Sequence, residues 1–191
     1  MDKPTPPLKV SAIATVLLPP FGDRVQAIWQ DFQDDCQVQF TLTSDPIPHI
    51  SWQGAQHYNE RALDEVLAKI ASQTRPFAIK TSGIGIFTGP TQIIYLSVVK
   101  DANLMHLHRQ IWDATQELSE NRNTYYSPEL WLPHITLAQD SLNAQALDCI
   151  LAKITFRPYE WIIPVDHLAL IHAGEGAEFR EKYRYPFSDQ E

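Results

Sequence analysis

The feature that most constrains this chain is a four-residue unit that occurs twice. The sequence reads Pro-His-Ile-Ser at 48–51 and Pro-His-Ile-Thr at 133–136, so three positions are identical and the fourth supplies a hydroxyl in both copies. Each copy lies in a stretch typical of a β-strand, and each is followed by a segment with helical periodicity. A repeated strand-to-helix unit indicates a fold whose two halves follow one plan.

Strand geometry predicts how the repeated side chains are arranged. Residues i and i+2 of a strand share a face, so His49 and Ser51 point the same way, as do His134 and Thr136. We predict that two imidazoles and two hydroxyls meet in one cleft if the halves pack face to face. The opposite face of both strands is apolar, which assigns its tryptophans to the core; it is formed by Ile50, Trp52, Trp131, Ile135 and Leu137.

Two histidines and two hydroxyls suit chemistry at a phosphate ester. Imidazole titrates near neutrality, so one copy can accept a proton while the other donates one. The hydroxyls can donate hydrogen bonds to phosphate oxygens as negative charge develops on them. An acid and a base of this kind need no metal ion, and we expect no cofactor. The remaining histidines have no partner at ligand spacing and are expected at the surface or in the core: His57, His106, His108, His167 and His172.

The pattern of predicted elements indicates an α+β protein. Strands and helices alternate without a regular β-α-β rhythm, and several neighbouring strands resemble hairpins, which favours antiparallel or mixed sheets. No linker rich in Pro, Gly or Ser divides the chain, so we expect residues 1–191 to form one bilobal domain with helices outside a central cleft. The predicted strands are 9–18, 37–43, 47–53, 77–87, 92–99, 131–137, 159–163, 165–173 and 179–187, and the predicted helices are 22–34, 58–72, 102–120 and 143–153, with a loop at 121–130.

Composition limits what the protein binds and where we expect it. It has 15 Lys and Arg against 23 Asp and Glu, a formal net charge of −8, which excludes a protein that coats nucleic acid through bulk electrostatics. No apolar run approaches the roughly 18 residues of a membrane span. The run at 10–18 is predicted to be a strand rather than a secretory signal, so we expect a cytoplasmic monomer with a small substrate. Cys36 and Cys149 are predicted to be small, partly buried residues in a reducing compartment.

Two stretches are open to more than one interpretation. Arg180, Lys182 and Arg184 lie on one side of the last predicted strand; a protected edge strand is the favoured interpretation, and a phosphate-binding patch beside the cleft is the alternative. Tyr126, in the loop before the second motif, is a candidate for stacking on a base. The glycines of the segment 83–87 lack the third glycine and the following helix of a dinucleotide fingerprint, so they are expected to bend a strand or to allow close approach of another backbone segment.

With its two His-x-Ser/Thr motifs, the chain resembles the 2H phosphoesterase superfamily, which includes 2′-5′ RNA ligase-like proteins and 2′,3′-cyclic phosphodiesterases. The resemblance runs from about residue 9 to 187 and includes the segments 14–20, 83–87, 93–96 and 131–137. It implies a bilobal fold with pseudo-twofold symmetry and metal-independent chemistry. In that chemistry His49 and His134 act as acid and base, while Ser51 and Thr136 hold the phosphate.

The resemblance implies a range of activities rather than one. Members of the superfamily act on small cyclic nucleotides, RNA ends or related phosphoesters, and some only bind nucleotides. We expect a hydrolase or transferase that acts on a 2′,3′-cyclic phosphate or a 2′-5′ linkage of a nucleotide or RNA end. The alternatives are a nucleotide-binding module without turnover and an enzyme with ligase-like activity. The sequence does not distinguish the acid from the base.

Overall fold

The computed structural model describes residues 11–38, 46–89, 92–139, 142–173 and 179–188. Within these ranges the strands are β1 (Ser11–Val16), β2 (His49–Tyr58), β3 (Phe77–Phe87), β4 (Ile93–Val98), β5 (Ser119–Arg122), β6 (His134–Gln139), β7 (Ile162–Val165), β8 (His167–Ala173) and β9 (Phe179–Pro186). The helices are α1 (Phe21–Cys36), α2 (Glu60–Ser72), α3 (Ala102–Ala114) and α4 (Ala144–Ile154), and short 3-10 helices occur at Gln116–Leu118 and Thr124–Tyr126. None of these helices is long and apolar enough to cross a membrane.

The described strands form two antiparallel sheets, each of which contains one motif. The first sheet has the order β5-β2-β1-β8-β9, and the second has the order β6-β4-β3-β7. The first motif begins β2, inside the first sheet, and the second begins β6, at an edge of the second sheet. These sheets and their helices confirm the predicted α+β class.

The helices cover the sheets and connect them. α2 and α3 pack on the first sheet, whereas α1 crosses from β1 to pack on β6 and against α4. Three helices begin at a polar residue whose side chain accepts a hydrogen bond from a backbone N–H three residues later: Asn59, Asp101 and Asn143. One apolar core contains buried side chains from both sheets, including Ile13 and Ile135. The two motif strands are therefore held against one shared core.

The repeat extends from the motif residues to the backbone that follows them. The ladder between β1 and β2 changes register so that Trp52, directly after Ser51, is an extra residue in β2. The ladder between β4 and β6 changes in the same way, and Leu137, directly after Thr136, is the extra residue. Both extra side chains are buried. Because a bulge bends its strand locally, the two motifs share a backbone shape as well as a sequence.

The structure contradicts the prediction that the two cysteines are free. Cys36, the last residue of α1, forms a disulfide with Cys149 of α4, at a sequence separation of 113 residues. Such a separation carries no signal in the sequence, and only the packing of α1 against α4 brings the two Cα atoms within 5.6 Å. Ion pairs of Lys153 with Asp35 and of Arg157 with Asp31 join the same two regions. The cytoplasmic location stays a prediction.

The largest error in the predicted elements concerns residues 102–130. The predicted helix at 102–120 ends at Ala114, and the predicted loop at 121–130 contains the end of β5 and a 3-10 helix. β5 has the polar sequence Ser-Glu-Asn-Arg and was missed because an edge strand that pairs only with β2 needs no apolar face. β2 also runs on to Tyr58, beyond its predicted end at residue 53. The predicted strand at 37–43 falls mainly outside the described residues.

Candidate active site

The four repeated polar side chains line one cavity between the two sheets. The cavity has a volume of about 390 Å³, at the lower end of the range typical of small-molecule sites. His49 and Ser51 reach it from β2, and His134 and Thr136 reach it from β6. The structure therefore brings together the residues that strand periodicity placed on facing surfaces. The other lining residues are Ala12, Trp29, Pro46, Ile47, Gly54, Ala55, Gln56, Ile93, Asn121, Asn123, Tyr126 and Gln139.

Both histidine rings are oriented by the same local hydrogen bond. His49 Nδ1 lies 2.6 Å from the carbonyl oxygen of Ile47, and His134 Nδ1 lies 2.6 Å from that of Leu132. A carbonyl oxygen only accepts, so Nδ1 is the protonated nitrogen in each ring. Nε2 is consequently the atom of each ring that can exchange a proton with a ligand.

The environment of the two rings favours their neutral forms. Burial lowers the pKa of His49, the carbonyl of Ile47 opposes this effect, and a positive charge on His134 lowers the pKa of His49 further. Burial likewise lowers the pKa of His134, against the opposing effect of the Leu132 carbonyl. Two positive charges on the pair are thus disfavoured. A bound anion would raise both pKa values and stabilise a protonated ring.

Aromatic rings lie against His134. The centroid of the His134 ring lies 5.1 Å from that of Phe87, in an edge-on arrangement, and 5.2 Å from that of Tyr95. Tyr95 is the cross-strand partner of Gly85, where a Cβ atom would come within 2.3 Å of the Tyr95 ring. Gly83 has a φ of 73° next to a change of register in β3. Gly83 therefore lies in a bend, as predicted, whereas the close neighbour of Gly85 is a side chain and not the predicted backbone.

Two tryptophans bind the backbone of the hydroxyl residues. Trp29 Nε1 of α1 donates to the carbonyl oxygen of Thr136 at 3.2 Å, and Trp131 Nε1 donates to that of Ser51 at 3.2 Å. Trp131 and Trp52 are almost fully buried, which confirms that they belong to the core. Trp131 also stacks on the buried ring of His108, at a centroid distance of 3.8 Å. The core next to the cavity thus helps to hold the hydroxyl strands in place.

One wall of the cavity is polar, and only Tyr126 in it was a predicted candidate. Asn121 Nδ2 donates to Gln56 Oε1 at 2.8 Å, and Asn123 lines the cavity beside them. Burial raises the pKa of the Tyr126 phenol, and the Ser51 hydroxyl acts in the opposite direction. Nothing in the sequence singled out the amides, because they come together only through the pairing of β5 with β2. Asn121 adopts a φ of 48°, which Asn tolerates better than most residues.

The basic residues of β9 do not form the row that was predicted. The ladder between β8 and β9 shifts so that Lys182 is an extra residue, which breaks the expected alternation of faces. Arg184 pairs with Ala169 of β8, Ala169 pairs with Ala14 of β1, and Ala14 pairs with Ser51 of β2. Since cross-strand partners share a face, Arg184 lies on the same face of the sheet as Ser51.

Arg180 instead pairs with His172 of β8, so it lies on the opposite face of the sheet from Arg184. Lys182 forms an ion pair with Glu60, and Arg184 forms a two-pronged pair with Glu181 at 2.6 Å. Among the described residues that line the cavity, none comes from β9. The position of β9 at the end of the described sheet agrees with the edge-strand interpretation.

Comparison with known proteins identifies the family of this fold and cavity. A family model described as the 2′-5′ RNA ligase superfamily matches residues 19–177. The chain belongs to the 2′-5′ RNA ligase superfamily. Membership of this superfamily agrees with the resemblance that the two motifs indicated.

Relatives of this superfamily member carry the name "Putative phosphoesterase". The protein of that name from Bacillus cereus is 24% identical over 128 residues, which cover 65% of this chain and 70% of the relative. The one from Geobacillus thermodenitrificans is 28% identical over 136 residues, which cover 69% of this chain and 73% of the relative. These relatives and the superfamily together support a phosphoesterase-like function.

Solved structures share the superfamily fold over almost the whole chain. A Thermus thermophilus protein has a TM-score of 0.65 at 16% identity, with 93% of this chain and 97% of that chain covered. Escherichia coli LigT in complex with NADP+ has a TM-score of 0.57 at 12% identity, with 97% and 100% covered. At these identities the likeness concerns the fold.

Proposed function

We propose that the protein is a phosphoesterase that acts on a 2′,3′-cyclic phosphate or a 2′-5′ phosphodiester of a nucleotide or RNA end. The observation that carries the proposal is the repeated geometry of the cavity. Two strands present a histidine with its Nδ1 bound to a carbonyl, and each histidine is followed two residues later by a hydroxyl that lines the same cavity. This arrangement supplies a base, an acid and two phosphate ligands without any further group.

The proposed reaction divides the work between the two rings. Nε2 of the neutral ring accepts a proton from a water molecule as the water oxygen bonds to phosphorus. The other ring, protonated at Nε2, donates its proton to the ester oxygen as the bond between that oxygen and phosphorus breaks. The hydroxyls of Ser51 and Thr136 donate hydrogen bonds to the non-bridging oxygens, where negative charge develops. The pair enters the reaction with one ring neutral and one ring protonated at Nε2, a single positive charge, and a bound phosphate anion favours that state.

The polar wall supports a nucleotide as the substrate. Solved structures of LigT contain 3′-AMP and NADP+, which are nucleotides. In this chain Gln56, Asn121 and Asn123 offer amide donors and acceptors beside the histidine pair, and such groups can bind the edge of a base or the hydroxyls of a ribose. Tyr126 lies in the same wall and adds a neutral phenol beside the amides.

The test is hydrolysis of a panel of substrates by purified protein and matched variants. The panel contains nucleoside 2′,3′-cyclic phosphates, 2′-5′ dinucleotides and RNA with a cyclic-phosphate end, each assayed with and without chelator. His49→Ala and His134→Ala should each lower the rate by about 10²–10⁴-fold. His106→Ala, an exposed histidine of α3 outside the cavity lining, is the matched control and should keep the activity.

Two outcomes would decide against the proposal. Full activity after replacement of both cavity histidines would exclude them as acid and base. Nucleotide-dependent thermal stabilisation without product at any pH would identify a binding module that keeps the cavity but does not turn over.

A further inference from the structure

The described part of the cavity is unusual for a phosphate site because its lining offers no permanent positive charge. Among the described residues that line it, none is Lys or Arg, and none is Asp or Glu. Of the residues outside the described ranges, only Lys3 and Lys9 are basic. The three predicted cations, Arg180, Lys182 and Arg184, are not among the residues that line the cavity. Lys182 is paired with Glu60 of α2, and Arg184 with Glu181 of β9.

Among the described side chains that line the cavity, only the histidine pair can supply a positive charge, when one of its rings is protonated on both nitrogens. A charge on His134 disfavours a second charge on His49, and burial disfavours both. The phenol of Tyr126 stays neutral because its pKa is raised. A cavity of this kind can balance about one negative charge, whereas sites for doubly charged phosphates commonly use Arg or Lys.

We propose that the cavity selects singly charged phosphodiesters and rejects phosphomonoesters in their doubly charged form. The inference rests on the proposed function and defines its substrate by charge. Hydrolysis of a cyclic phosphodiester forms one bond from water oxygen to phosphorus, breaks one ester bond and leaves a monoester. That monoester loses a second proton with a pKa of about 6. The product therefore acquires a charge that the cavity does not balance, and it leaves without inhibiting the enzyme near neutral pH.

The test compares two ligands that differ in one ionisable proton. 2′-Deoxyadenosine 3′-monophosphate and its methyl diester have the same nucleoside, and neither has the 2′-hydroxyl needed to form a cyclic phosphate. Their dissociation constants are measured by calorimetry at pH 5 and pH 8. Titration of the protein affects both ligands alike, so the ratio of the two constants isolates the charge on the ligand.

The expected result follows from the fraction of monoester that carries one charge. With a second pKa of about 6, that fraction falls by roughly 100-fold between pH 5 and pH 8, so the ratio of monoester to diester dissociation constants should rise by on the order of 100-fold. A rise of less than tenfold overturns the proposal, as does failure of the diester to bind at both pH values.

A charge placed in the cavity tests the cause. Gln139 lines the cavity from the end of β6, so Gln139→Lys introduces a cation there, and Gln139→Met is the neutral control of similar length. The lysine variant should lower the ratio at pH 8 at least tenfold and make the product inhibitory, and the methionine variant should not. Equal ratios in the two variants would refute charge as the cause. A protein that shows the pH-dependent ratio but hydrolyses no substrate would refute the proposed function alone. A protein that hydrolyses the cyclic phosphate but shows no pH-dependent ratio would refute charge selection alone.

Discussion

Lowering the pH should destabilise the fold through His108, a buried histidine behind the first motif. Its side chain is 0% exposed and stacks on Trp131, whose indole donates to the carbonyl of Ser51. Burial lowers the pKa of His108 from 6.5 to about 4, although the backbone carbonyls of Tyr126 and Trp52 act in the opposite direction. A proton on this ring would place an uncompensated charge in the core next to the cavity.

The sign and size of the effect follow from the two pKa values. The pKa of His108 is lower in the folded state, so the unfolded state takes up the proton first as the pH falls. The stability linked to this group is complete above pH 6.5 and is lost as the pH falls to 4. A difference of about 2.5 pH units corresponds to about 3 kcal/mol, of which about 2 kcal/mol is lost by pH 5.

Urea unfolding at pH 8 and pH 5 tests this prediction with two variants. His108→Phe keeps a flat ring against Trp131 but cannot bind a proton, and His106→Gln changes an exposed histidine of the same helix. The wild type and His106→Gln should lose about 2 kcal/mol more than His108→Phe between the two pH values. Contributions from the other histidines are common to all three proteins and cancel. An identical pH dependence in His108→Phe and the wild type would refute a buried, neutral His108.

Three further predictions concern the disulfide, the glycine contact and the reaction. Cys36→Ser should lower the free energy of unfolding by about 2–4 kcal/mol, since the disulfide closes a loop of 113 residues; two thiols titrated in unreduced, unfolded wild type would contradict the bond. Gly85→Ala should displace Tyr95 from His134, destabilise by about 1–3 kcal/mol in urea unfolding and lower activity, and an unchanged protein would exclude the close contact. For hydrolysis of a cyclic phosphate, kcat/KM should already fall below pH 6.5 as the pH rises, because burial lowers both histidine pKa values below 6.5 in the free protein. The fall in kcat should lie at higher pH, because a bound anion favours the protonated ring; coinciding profiles would show that a bound anion raises neither the pKa of His49 nor that of His134.

The sequence predicted the parts of the site that depend on strand periodicity. The alternation of side chains placed His49 and Ser51 on one face of β2 and Trp52 away from it, and the structure shows this arrangement. The same reasoning succeeded for the second motif because its local pattern is the same. A two-residue period needs no knowledge of the rest of the fold, which is why it could be read without a structure.

The parts that escaped prediction depend on how distant segments pack. Cys36 and Cys149 meet only because α1 crosses to the second sheet, and no local pattern encodes that crossing. Asn121 joins the cavity wall through an edge strand without an apolar face. The predicted row of cations in β9 failed because Lys182 is an extra residue in a bulge. One extra residue moves every later side chain of the strand to the opposite face of the sheet.

Because the two motifs are alike, only differences in their surroundings can give the two histidines different roles. Two histidines with the same Nδ1 hydrogen bond and the same bulge after the hydroxyl would be interchangeable as acid and base if nothing else differed. The proposed reaction, however, needs a direction, because water attacks from one side and the ester oxygen leaves on the other. Among the described residues the two halves differ in their walls: Tyr126 lines the cavity with Ser51 in one half, and Phe87 and Tyr95 face His134 in the other. The duplicated strands can thus supply the chemistry, and the unduplicated wall residues are the ones that can orient a substrate within it.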